Sequence, residues 1–199
     1  MKKTIVFVVG CFFSLLTLAE DKVASYSMSY FDGKVYDIEA SEPKTDGSFN
    51  FYIYVAGDGQ NDRVCLSLKS KDVPNFKESL ETIKNKFAEW KATATENKVT
   101  DIVKAFPCTF PKMTVAWHSS KWWFAFNRVF TPDFFVFKDG RCAVVTSAKV
   151  TSSENQYIDQ TFYLVFEDNS EIDQLIEGLN CDAVVRYYNQ KRNATDLFN

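Results

Sequence analysis

Phe49, Phe51, Ile53 and Val55 alternate with Asn50, Tyr52 and Tyr54, and Val64, Leu66 and Leu68 alternate with Arg63, Cys65, Ser67 and Lys69. A period of two sends one set to a buried face and the other to the opposite face, so both stretches are predicted strands. Between them, Gly57-Asp58-Gly59-Gln60-Asn61-Asp62 has the chemistry of a hairpin loop. Upstream, residues 25–31 and 34–40 flank Asp32-Gly33, a dipeptide suited to a tight hairpin turn because both positions tolerate positive φ.

The period then changes. Val73, Phe76, Leu80, Ile83, Phe87, Trp90 and Ala94 recur at alternating intervals of three and four, the stripe of one amphipathic helix that fades near Asn97. Asp72 is placed to cap its first turn, and Pro74 is tolerated there because early backbone N–H groups have no helical partner. Packing on its own sheet accounts for the stripe better than a coiled coil does. Residues 99–106 fit a short helix or a strand, and Pro107 and Pro111 bracket Cys108 in an irregular connection. Further strands are expected at 113–117, 122–130, 134–138, 141–150 and 157–167, with Asp139-Gly140 as a hairpin turn. Ser170 with Asp173 has the spacing of a capping box ahead of Ile172, Ile176 and Leu179. Residues 182–191 suggest another helical stretch.

These elements predict an α+β fold: an antiparallel sheet with amphipathic helices packed on one face. Residues 46–72 and 139–168 share an order of Asp-Gly, strand, loop, strand and Asp before a helix, so one domain over 20–199 with similar halves, 20–106 and 107–199, is one expectation. Helical periodicity alone produces such a match often.

The N-terminus changes the picture of where this domain works. Lys2 and Lys3 precede an apolar run that ends in Thr17-Leu18-Ala19, the order of a signal peptide over residues 1–19. The run is shorter than the ~20 residues of a membrane-spanning helix, so no stable span is expected once it is cleaved. The expected location is extracytoplasmic, either periplasmic or secreted. A lipid anchor at Cys11 fits Val8-Val9-Gly10-Cys11 loosely, but the apolar run continues past it with no polar tether. Cleavage removes two of 23 basic residues and none of the 26 acidic ones, leaving 21 against 26 and a net charge of −5. Nucleic acid and anionic membrane surfaces are therefore poor partners.

Cys65, Cys108, Cys142 and Cys181 remain, an even number that permits disulfides in an exported chain. Sequential bridges, Cys65 to Cys108 and Cys142 to Cys181, would each link a strand to the segment beyond the next helix; buried free thiols are the alternative. The spacing has no metal-ligand rhythm and His118 is the one histidine, so no metal or cofactor is expected. The oxygen-rich loop from Asp58 to Asp62 lacks the order of a calcium loop. No nucleophile elbow is present, and the carboxylates sit in turns or on helix surfaces with no pair standing out.

Aromatic residues are the remaining candidates for function. Alternation assigns Trp122, Phe124, Phe126 and Phe130 to the core, leaving Trp123 on the opposite face, as Tyr52 and Tyr54 oppose the apolar face of their strand and Tyr163 that of its own. Trp123, Tyr52, Tyr54 and Tyr163 are thus the expected ligand-binding residues, for a glycan, peptide or protein partner. The expected function is a non-catalytic exported binding or interaction domain. A small extracytoplasmic carboxylate hydrolase, or an inhibitor of the immunity-protein type, is the alternative.

Overall fold

The computed structural model describes residues 20–58 and 63–197; residues 1–19, with Cys11, and the loop positions 59–62 lie outside the described residues. Ten strands follow in chain order: β1 (Asp21–Met28), β2 (Lys34–Ala40), β3 (Asn50–Gly57), β4 (Val64–Lys69), β5 (Ile102–Ala105), β6 (Met113–His118), β7 (Trp122–Arg128), β8 (Asp133–Val136), β9 (Cys142–Thr151) and β10 (Asp159–Phe166). Three helices join them: α1 (Val73–Glu96), α2 (Asn169–Gly178) and α3 (Cys181–Asp196). The fold is α+β, and every strand pairing is antiparallel.

The sheet runs β5-β8-β9-β10-β3-β4-β6-β7 and forks at β3. One edge of β3 is divided between two partners: β2 pairs at Phe51 to Ile53, and β10 pairs at Ala56 and Gly57. At the far end, the chain beyond β9 closes against β7. Ser153 N–H donates to the Phe124 carbonyl at 2.8 Å, Phe126 N–H donates to Ser153 Oγ at 3.1 Å, and the Arg128 guanidinium donates to the Thr151 carbonyl at 3.2 Å. An edge strand that would otherwise offer unpaired backbone groups is therefore covered.

The turn between β1 and β2 uses the left-handed region at both Asp32 (φ 55°) and Gly33 (φ 70°), as the dipeptide predicts. A single turn of 3-10 helix at Ser29–Phe31 ends the first strand before that turn. Within residues 99–106, Ile102–Ala105 form the edge strand β5 against β8, and Lys98 and Asp101 at positive φ turn the chain from α1 into it.

Helix α1 packs on the inner face of the sheet through Val73, Phe76, Leu80, Ile83, Phe87 and Ala94. Phe76 meets Phe110 edge-on at 4.6 Å, and Trp90 stacks on Phe106 at 5.0 Å. Asp72 does not cap the helix: it is already helical at φ −96°, ψ −4°, and a 3-10 turn at Ser70–Asp72 leads the chain in instead. The capping box of α2 also sits two residues earlier than Ser170 and Asp173 suggest. Asp168 Oδ1 accepts from Ser170 N–H at 2.9 Å, and Glu171 Oε2 accepts from the N–H groups of Glu167 and Asp168. The other oxygen of Glu171 accepts from Ser29 N–H, so this buried carboxylate ties α2 to the end of β1. Gly178 at the end of α2 lies so close to β2 that a Cβ there would sit 2.5 Å from Ile38 Cδ1 and 3.1 Å from Ala24 Cβ. Helix α3 covers β2 through Tyr188, whose hydroxyl donates to the Ala40 carbonyl at 2.7 Å.

All four described cysteines are free thiols, which overturns the expected bridges. Cys65 lies on the outer face of β4 between Tyr54 and Ala116, whereas Cys108 Sγ points at the Ser79 carbonyl of α1 on the inner side. Cys142 Sγ contacts the Gly140 carbonyl and Cys181 Sγ the Ser70 carbonyl, so the second pair also sits in separate places. Sequential order along the chain said nothing about these separations.

Candidate functional site

The register of four neighbouring strands fixes which side chains share the outer face. Tyr52 on β3 pairs with Ser67 on β4, and Ser67 pairs with Thr114 on β6. One row along, Tyr54 pairs with Cys65, Cys65 with Ala116, and Ala116 with Phe124 on β7. The next row brings His118 opposite Trp122. Paired residues project to the same side of a sheet, so small residues on β4 and β6 lie between aromatic ones on β3 and β7. Ser67, Thr114 and Ala116 cannot fill the height that the flanking rings reach. A cleft of about 660 Å³ results, lined by Asn50, Tyr52, Ser67, Thr114, Ala116 and His118 and walled by Trp122, Phe124 and Phe126, with Lys121 at its rim.

The walls have defined geometry. Phe124 and Phe126 stand parallel at 5.8 Å, and Phe126 is 48% exposed, an unusual position for a phenylalanine ring. Trp122 meets His118 edge-on at 5.4 Å. The Arg63 guanidinium lies 5.9 Å from the Tyr54 ring and 5.8 Å from the Trp122 ring, bridging the two walls at that end.

The β3 wall is held from behind. Tyr54 OH donates to Glu39 Oε2 at 3.1 Å and receives an Arg63 N–H at 3.5 Å. Burial raises the Tyr54 phenol above its ordinary value and pushes Tyr52, beside the Glu20 carboxylate, up to about 12. Both tyrosines are buried, each 8% exposed. Cys65 beneath them is likewise raised by burial, so its thiol stays protonated and inert. Glu20 is raised to about 7, first by burial and then by hydrogen bonding to and repulsion from Glu39, with Tyr52 and Arg63 pulling the other way. Its Oε1 is enclosed without a hydrogen-bond partner.

At the opposite end the cleft continues into a second hollow of about 480 Å³, which shares Asn50, Ser67, Thr114 and Phe126 with it. Lys69, Lys71 and Lys112 border this end with Asp72 and Asn127. None of the three lysines forms an ion pair with a described residue.

Of the residues expected from sequence, Tyr52 and Tyr54 share this face, but as buried wall rather than exposed handles. Trp123 is on the other side. It pairs with the fully buried Trp117, donates from Nε1 to Ser119 Oγ at 3.1 Å, and carries the Lys121 ammonium 4.0 Å over its ring. Tyr163 pairs with Ala56 and lies on the same side as Tyr54, one strand further along β10, outside the cleft lining. The residues that sequence assigned to the core, Trp122, Phe124 and Phe126, form the cleft wall instead; Phe130 is buried as expected and meets Phe162 at 4.9 Å. The small residues Ser67, Thr114 and Ala116 carry no functional signature of their own in the sequence. Their size, at positions facing the same side as two tyrosines, is the signal that could have found the trough.

His118 lies in the cleft and Cys108 against α1, so the two do not form a nucleophile–base pair. Among the described residues no group of three or more His, Cys, Asp or Glu could hold a metal ion, and no helix is long and apolar enough to cross a membrane. No family model, curated protein or solved structure matches the chain. The fold and the geometry of this face therefore carry the functional argument by themselves.

Proposed function

We propose that this chain is an exported, non-catalytic binding protein whose ligand seats in the trough across β3, β4, β6 and β7. One observation carries the proposal: a file of small residues, Ser67, Thr114 and Ala116, runs between aromatic walls on both sides. A sheet face built only for solvent gains nothing from exposing Phe126 and Trp122 around a hollow. Apolar clefts of ~300–1,000 Å³ with a few polar groups are where small ligands commonly bind. Burying the exposed portions of those rings supplies the driving force, and Asn50, Ser67, Thr114 and His118 supply the orienting polar atoms.

The test uses N-phenyl-1-naphthylamine, an uncharged aromatic probe whose emission rises in apolar sites. Phe126→Ala and Trp122→Ala are each expected to weaken it about ten-fold or more, on the order of 1.4 kcal/mol. Trp123→Ala is expected to leave probe affinity unchanged while lowering the melting temperature. Loss of probe binding in Trp123→Ala alone would move the site to the other face. Export has its own check: intact mass of the secreted protein should correspond to a chain starting at Glu20, and a product retaining residues 1–19 would contradict it.

A further inference from the structure

Resting on the reading of the trough as the binding site, the geometry points to a free amphiphile with an anionic head as its ligand, the apolar body lying between the walls and the head at the lysine end. Most of the surface the cleft exposes between Tyr52 and the Trp122, Phe124 and Phe126 wall is apolar, which suits an apolar body better than the many hydroxyls of a sugar. From Lys112, just ahead of β6, to His118 at its end the trough floor spans six residue steps, about 20 Å at ~3.3 Å per residue, room for a decyl chain laid lengthwise.

The two ends differ in charge. At the Trp122 end the cations are already engaged: Lys121 pairs with Glu154 at 3.1 Å, and Arg63 bonds Tyr54 OH beside Glu39. At the other end Lys69, Lys71 and Lys112 converge with no ion-pair partner among the described residues, and Asp72 is the one acid on that rim. Three such cations beside an apolar trough, on a chain whose expected mature charge is −5, form a local potential opposite to that of the whole molecule. They select for an anionic group, and the surrounding negative charge disfavours approach to an anionic bilayer. The occupant is therefore a monomer in solution.

Displacement of the neutral probe from the purified protein by decanoate, decanol and decyltrimethylammonium, all below micellar concentration, tests this. Decanoate is expected to compete at least ten-fold better than the other two. The Lys69→Gln/Lys112→Gln double variant should lose that preference while its affinity for the probe and for decanol is unchanged. Equal competition by the three heads, or a preference that survives the double variant, would overturn the inference and leave the trough reading standing. Failure of the neutral probe to bind at all would instead remove the trough reading itself. Cosedimentation with phosphatidylcholine–phosphatidylglycerol vesicles is expected to be absent; its presence would overturn the assignment to a free amphiphile.

Discussion

Leu80 sits within the buried stripe of α1 with no exposed surface, flanked along it by Phe76, Ile83 and Phe87, all buried against the sheet. Leu80→Ala removes three carbons from this contact, and the surrounding rings cannot collapse far because each is fixed by another: Phe76 by Phe110 at 4.6 Å, Phe87 by Phe134 at 6.0 Å. The lost transfer energy and the residual cavity together place the cost at about 3–4 kcal/mol, in the middle of the usual range. For a domain near this size that corresponds to a fall of roughly 6–16 °C in melting temperature. The comparison is Glu81→Ala on the next residue, whose half-exposed side chain pairs with Lys84 at 2.8 Å. Lys84 keeps its second partner, Asp173 of α2, at 2.7 Å, so the change should stay within ~0.5 kcal/mol. Urea melts of both variants measure this directly. Similar midpoints for the two would refute the assignment of the inner face of α1, and with it the placement of the trough on the outer side of the sheet.

Three further outcomes follow from specific contacts. Gly178→Ala should destabilise by ~1–3 kcal/mol, because its Cβ would press on the fully buried Ile38 and on Ala24 of β1; an unchanged urea midpoint would contradict that close approach. Glu20 has a folded-state pKa of about 7 against 4.5 for a solvated glutamate side chain, so folding retains its proton between those values. Stability from this group is full below about pH 4.5 and declines as pH rises through 7, and Glu20→Gln should flatten that decline and melt higher than the wild type at pH 8; identical pH profiles would refute it. Thiol titration of denatured, unreduced protein lacking residues 1–19 should count Cys65, Cys108, Cys142 and Cys181 as four free thiols, and a count of two or none would restore a disulfide.

Strand and helix positions were legible in sequence because period two and the three–four stripe are consequences of local geometry. The β3 and β4 strands with their hairpin connection, the α1 stripe and the Asp32-Gly33 turn all follow from neighbouring residues alone. What alternation cannot say is which of two faces goes inward. On β7 the larger stripe, Trp122, Phe124 and Phe126, has the look of core, but the inner face there is already filled by Trp117 and accepts only Trp123 and Ala125. The bulky residues are left outside, and that inversion is what forms the trough. Ile102–Ala105, within the ambiguous 99–106, become a strand through pairing with β8, about thirty residues away, which no local pattern contains. The meeting of Glu20 with Glu39, and the separation of the cysteines, depend in the same way on non-local packing.

The central claim is that the hollow between the two aromatic walls is where this protein binds. Thr114 stands on its floor, half-buried and facing outward between Ser67 and β7, so Thr114→Trp fills the trough without entering the core. Titration of the wild type and this variant with N-phenyl-1-naphthylamine, alongside a thermal melt of each, is the direct measurement. Saturable binding by the wild type, lost at least ten-fold in the variant with a melting temperature within a few degrees, is the predicted result. Undiminished binding by the filled variant, or no binding by the wild type, would contradict it.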